Sequence, residues 1–247
     1  MFLPLFDVDL EGEEQKKLSN LFTPVMTFII VTCVLVFIYQ STLIYNINEF
    51  YQKWGTSVYK IINANEIGLE AYLSLITYSF VHGGIWHLLG NMWFFFIFGN
   101  NVERRMGTVI FIIFYFSSAI ISALIHMYVL YPKEMLGQQT YFGMRAISQT
   151  NDIAIPLVGA SGAISAVLGA YLKYFPRNYV ITLVVFIIIT TVSIPASVFI
   201  GIWLVGQIIN ALFSQQLGIA WFAHIGGFIY GYIFASLYRG KKEYRWQ

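Results

Sequence analysis

Ser161 stands in Gly159-Ala160-Ser161-Gly162 at the start of one apolar run, and His224 stands in Ala223-His224-Ile225-Gly226-Gly227 within another. A hydroxyl and an imidazole are the two parts of a nucleophile and its general base. Polar groups in segments suited to lipid are costly unless they meet partners or water, so both residues call for a functional reason. The chemistry they can carry together is acyl transfer.

His82, His87 and Asn91 fall in His82-Gly83-Gly84-Ile85-Trp86-His87-Leu88-Leu89-Gly90-Asn91, and the step from His87 to Asn91 puts both on one helix face. When a hydroxyl attacks an amide carbonyl, negative charge builds on the oxygen. Fixed donors aimed there in a dry site contribute roughly 2.7–4 kcal/mol each. The Asn91 amide and the His87 ring are donors of that kind. The backbone N–H of Ser161 is a third, because the first amides of a helix lack intrahelical acceptors. Gly159 and Gly162 leave room for a substrate backbone to approach. Small residues continue at Ser165 and Gly169 along the Ser161 helix, and at Gly227 and Gly231 after His224, giving two flat seams. Seams that meet would bring His224 within hydrogen-bonding reach of Ser161.

The elements that must hold these residues follow from the solvent the chain lives in. Apolar residues make up 58% of the 247 and charged residues 11%, against about 25% charge in a soluble domain. Positions 178 to 238 hold no Asp, Glu, Lys or Arg. Such a stretch cannot serve as a water-facing surface, so an all-α, polytopic membrane protein forming one helical bundle is expected. A net charge of +2 implies no nucleic-acid partner.

Six spans are expected near Val25–Ile44, Ile85–Val102, Gly107–Tyr131, Gly159–Phe175, Ala196–Phe213 and Phe222–Tyr238, the fourth and sixth being short. A cytoplasmic N-terminus places Lys53, Lys60, Lys133 and Arg145 outside and the other ten of the 14 Lys and Arg inside, as the positive-inside rule favours. Basic clusters then flank positions 178 to 238 on one side, which requires an even number of crossings between them. Two fits, so Val180–Ile194 does not cross. It is rich in β-branched residues and ends at Pro195, which suits an extended or re-entrant piece buried against protein. The alternative is a fifth span that starts earlier and kinks at Pro195. Asn46–Glu70 mixes aromatic and polar residues and should lie in the interface plane. Tyr131–Pro156 is an outer loop. The organisation is a cytoplasmic segment 1–22, a membrane domain 23–238 and a cytoplasmic basic tail 239–247. No signal peptide or organelle-targeting segment precedes the first span, which favours a plasma membrane.

His82-x-x-x-x-His87-x-x-x-Asn91, Gly159-x-Ser161-Gly162 and Ala223-His224-x-Gly226-Gly227-x-x-x-Gly231, in this order, resemble the rhomboid family of intramembrane serine proteases, in its bacterial six-helix type. The resemblance covers about Thr23 to Tyr238 and extends to Glu103-Arg104-Arg105 after the second span. It implies a six-transmembrane-helix bundle in which a short central helix carries the nucleophile, with a cavity open to the outer side. It implies that a Ser161–His224 dyad cleaves transmembrane-helix substrates without metal or cofactor, that His87 and Asn91 line the oxyanion site, and that His82 supports the cavity mouth. One position departs from the pattern: where several rhomboids place an aromatic ring against the histidine, this chain has Ser165, so what orients His224 is open.

Blander readings stand beside these. A lone Ser in a membrane helix commonly bonds its own i−4 carbonyl, and small-residue patterns commonly serve packing alone. His126 matches no motif and reads as a packing residue, Cys33 as lipid-facing or packing filler, and Glu103-Arg104-Arg105 as a helix-end charge cluster. The four histidines lack a His-Glu-x-x-His pattern, and the spans contain no aspartate pair for a two-aspartate protease. A catalytically silent relative that binds or escorts membrane helices is the remaining alternative.

Overall fold

The computed structural model describes residues 2–8, 22–43, 45–135, 152–185, 189–214 and 220–240. Most of the expected outer loop, the tail beyond 240 and the acidic stretch before 22 lie outside them. The chain runs β1 (Phe2–Val8), α1 (Pro24–Ser41), α2 (Ile47–Trp54), α3 (Val58–Ile62), α4 (Ala64–Ile67), α5 (Leu69–Thr77), α6 (Ile85–Met106), α7 (Thr108–Met135), α8 (Ser161–Tyr174), β2 (Tyr179–Val185), β3 (Ile189–Pro195), α9 (Ala196–Phe213) and α10 (Trp221–Leu237).

Each expected span coincides with a helix, namely α1, α6, α7, α8, α9 and α10. Three stretches are long and apolar enough to cross a bilayer: Pro24–Ser41, Thr108–Val129 and Ala196–Phe213. The others fall short for visible reasons. α6 ends in Glu103, Arg104 and Arg105. α10 has 17 residues. α8 has 14, about 21 Å of helix against a hydrocarbon core of about 30 Å.

The all-α expectation is corrected in one place. Within the expected extended piece, Tyr179–Val185 and Ile189–Pro195 pair as antiparallel strands, with register from Tyr179↔Pro195 to Val185↔Ile189, and β1 adds to them from Phe2↔Val184 to Val8↔Tyr179. Its β-branched run favours a pleated strand, and Pro195 closes β3 and stands at the N-cap of α9. The helix expected to form the fifth span therefore starts at Ala196 rather than earlier. β1 is held to the helices as well as to β2. The Trp93 indole donates to the Pro4 carbonyl at 2.6 Å, and the buried Asp7 carboxylate accepts from the Tyr171 hydroxyl at 2.7 Å and from the Asn101 amide.

Between α1 and α6, the segment expected in the interface plane breaks into α2, α3, α4 and the start of α5. The Lys60 ammonium donates to the carbonyls of Lys53 at 2.6 Å and Gly55 at 3.0 Å, joining α3 to the end of α2. Burial lowers the Lys60 pKa from its ordinary value, with Glu70 opposing the shift. Thr56 bridges to Leu157, and Thr56 in turn accepts from the Ser74 hydroxyl at 2.9 Å, so this segment anchors the approach to Ser161.

α8 is buried from Gly162 through Tyr171 and packs against α6, α7 and α10. Its small residues make this possible. A Cβ on Gly227 would strike the Gly162 carbonyl, one on Gly231 the Ala166 carbonyl, and one on Gly169 the Phe228 carbonyl. The two backbones therefore touch along their length, as small-residue seams allow in lipid. Gly162 also faces the Ser122 side chain of α7.

Candidate active site

The turn before α8 is fixed from three sides. Leu157 and Thr56 exchange backbone hydrogen bonds at 2.6 and 3.1 Å, and the Gly159 N–H donates to the Tyr78 carbonyl at 2.9 Å. Gly159 has φ +118, a conformation that side chains rarely adopt, and a Cβ there would lie 2.6 Å from the His87 ring. Glycine is thus required both by the turn and by the imidazole against it. Ser161 follows as the first residue of α8, where the helix still has unbonded amides.

The close fit of α10 against α8 brings His224 Nε2 to 2.8 Å from the Ser161 Oγ. The other ring nitrogen, Nδ1, lies 2.7 Å from the Gln207 Oε1 on α9. An amide oxygen only accepts, so a neutral ring donates through Nδ1–H and keeps a lone pair on Nε2. The Ser161 hydroxyl then donates to that lone pair, the arrangement from which a base removes a proton. Trp203 of α9 and Trp221 of α10 flank the ring, with centroids 6.4 and 6.0 Å away. The Ser165 hydroxyl donates to the Ser161 carbonyl at 2.7 Å.

His87 and Asn91 lie on the α6 face toward Gly159. The Gly83 N–H donates to His87 Nδ1 at 3.4 Å, which leaves the ring proton on Nε2, and a Gly159 Cβ would lie 2.7 Å from that nitrogen and 3.6 Å from the Asn91 Nδ2. The Asn91 Nδ2 is buried with no hydrogen-bond partner among the described residues. Two donors therefore converge on the backbone just before Ser161. His82 is fully buried and meets His87 edge-on, with centroids 5.2 Å apart. Its backbone is clamped by Gln40 of α1, whose Nε2 donates to the His82 carbonyl at 2.5 Å.

Gln207 carried no sequence motif; its one signal is an amide side chain in an uncharged apolar run. His126 lies on α7 and its Nδ1 has no partner among the described residues, so it is not the satisfied packing residue that the sequence suggested. Among those residues no three His, Cys, Asp or Glu side chains converge as metal ligands would. An apolar cavity of about 410 Å³ lies away from the dyad, between α1, α2 and the end of α5, lined by residues including Leu35, Tyr39, Phe50 and Phe80. It holds none of the groups described above.

Comparison with known proteins adds an independent observation. A family model described as the Rhomboid domain matches residues 69–241. The chain is 27% identical over 196 residues to "RHOMBOID-like protein 4" of Arabidopsis thaliana, a match that covers 78% of this chain and 39% of that protein. The chain thus spans well under half the length of the curated relative it matches.

Proposed function

The chain belongs to the rhomboid family, and from that premise we propose that it is an intramembrane serine endopeptidase that hydrolyses peptide bonds in or near the transmembrane helices of membrane-protein substrates. α1, α6, α7, α8, α9 and α10 are its six crossings. Both termini are cytoplasmic, and the site opens to the outer side of a plasma membrane.

Ser161 attacks the substrate carbonyl while His224 Nε2 takes its proton. The oxygen of the tetrahedral intermediate accepts from the Asn91 amide, the His87 Nε2–H and the Ser161 backbone N–H. The carbon–nitrogen bond breaks as His224 returns the proton to the leaving amine, and an ester to Ser161 remains. Water then attacks that ester with His224 again as base, releasing the new carboxyl terminus and restoring the hydroxyl. His82 supports His87 at the mouth of the site.

The observation that carries this reading is the 2.8 Å contact between His224 Nε2 and the Ser161 Oγ, made by residues 63 positions apart. The test is incubation of purified protein with a generic transmembrane substrate, beside Ser161→Ala and His224→Ala. Cleavage by the wild type that both substitutions abolish is expected. Undiminished cleavage in either variant removes the dyad, and retained substrate binding without cleavage by the wild type identifies an escort protein.

A further inference from the structure

A serine–histidine pair with nothing behind the imidazole has two ways to fail. The ring can turn about its own bond, or its proton can move to Nε2, and either event removes the lone pair that faces the hydroxyl. Where a triad solves this with a carboxylate against Nδ1, an amide that favours the wrong tautomer there lowers kcat about 10⁴-fold. Here the group against Nδ1 is Gln207 Oε1 at 2.7 Å. The Ser165 hydroxyl, four residues after Ser161, is committed to the Ser161 carbonyl.

Gln207 does not stand alone on its helix. Trp203 lies one turn earlier, on the same face, with its ring 6.4 Å from the imidazole. α9 is otherwise turned outward, with 11% of its apolar stretch buried within the molecule against 39% for Thr108–Val129. Its inward contacts are therefore few, and two of them meet His224.

We propose that Gln207 is the positioning residue of this site, its side-chain carbonyl holding His224 in the orientation and tautomer that leave Nε2 free to take the Ser161 proton. The amide is neutral, so it fixes the ring without adding a charge to stabilise the imidazolium. The consequence for turnover rests on the hydrolytic reading; the orientation of the ring does not.

The test uses the full chain in detergent, with Gln207→Leu and Gln207→Glu. Loss of the acceptor in Gln207→Leu should lower kcat by about 10- to 100-fold, less than the triad's 10⁴ because no competing tautomer is imposed, with KM changed less than about threefold. Gln207→Glu restores an acceptor and should recover most of kcat, with the acid limb of the pH profile displaced to higher pH because a carboxylate favours the charged ring. Nitrogen-15 NMR of histidine-labelled protein, with the His224 signal assigned by its loss in His224→Ala, should show an Nδ1-protonated ring in the wild type and a tautomer mixture in Gln207→Leu. A Gln207→Leu enzyme within twofold of wild type overturns the proposal, as does a ring signal unchanged by that substitution. If the wild type cleaves nothing, the hydrolytic reading fails by itself and the ring signal still decides the role of Gln207.

Discussion

The Met26 N–H donates to the Glu103 Oε2 at 2.8 Å, and the neighbouring Val25 N–H donates to Oε1 at 3.0 Å, so a carboxylate near the end of α6 caps the beginning of α1. Thr23, at the N-cap, makes no side-chain bond, and Pro24 brings no N–H of its own. Glu103 therefore satisfies amides that would otherwise be orphaned. Its charge also sits where the helix dipole favours an anion.

Glu103 is 2% exposed, so its removal leaves two buried donors without partners. Glu103→Ala should cost about 3 kcal/mol, the usual scale for hydrogen bonds to a charged group, and Glu103→Gln less because one oxygen still accepts. Thermal unfolding in detergent measures both. Equal midpoints for Glu103→Ala and wild type would show that α1 does not depend on this cap.

The fit of α10 on α8 makes a second prediction. Gly231→Ala drives a Cβ into the Ala166 carbonyl, and overpacking of that kind costs about 1–3 kcal/mol. Because α10 also carries His224, labelling of Ser161 by a serine-directed phosphonate should slow in the same variant. Gly206→Ala is the control, since a Cβ there meets nothing within 4 Å. It should leave both quantities unchanged or raise stability slightly through helix propensity. Similar behaviour of the two variants would remove the argument from backbone contact.

What could be read in the sequence divides by the range of the interaction. Apolar helices were legible because lipid imposes a composition on each segment by itself, and three of them, Pro24–Ser41, Thr108–Val129 and Ala196–Phe213, are long and apolar enough to cross a bilayer. Short spacings such as His87 to Asn91 were legible because helix period alone puts them on one face. Pairings that depend on two distant segments were not, apart from Ser161 with His224, which the family resemblance implied. Nothing local in Phe2–Val8 says that it will join Tyr179–Val185, because strand partners are chosen by tertiary register. The seams were visible as small residues, yet the meeting of Gly227 with Gly162 and of Gly231 with Ala166 needed the fold. Gln207 was overlooked for the same reason: its partner His224 lies on another helix. Glu103 was read as part of a charge cluster at a helix end, and its capping of α1 was invisible without the position of Met26.

Asp7 tests the unexpected strand. Its carboxylate accepts from Tyr171 of α8 and Asn101 of α6, and Asp7→Ala removes the acceptor of both these bonds. A loss of about 1–3 kcal/mol is expected. Cleavage of the first residues by an added protease should also speed up as β1 loses its anchor, while Ser161 labelling, set by α8 and α10 at the other end of α8, stays within a few-fold of wild type. An unaltered rate of proteolysis at β1 would show that pairing with β2 suffices to hold it.

Asn91 separates function from stability most sharply. Its Nδ2 is buried beside Gly159 and has no hydrogen-bond partner among the described residues, a state that costs a folded protein about 1–3 kcal/mol. A side chain kept for packing would not be expected to hold a donor in that condition. A donor held ready for an oxygen that becomes negative only during reaction would be. Asn91→Ala should therefore slow turnover by about 10²- to 10³-fold, less if His87 compensates, while the unfolding midpoint stays level or rises. The opposite pattern, full turnover with a lowered midpoint, would make Asn91 a structural residue and leave the oxyanion to His87 and the backbone of Ser161.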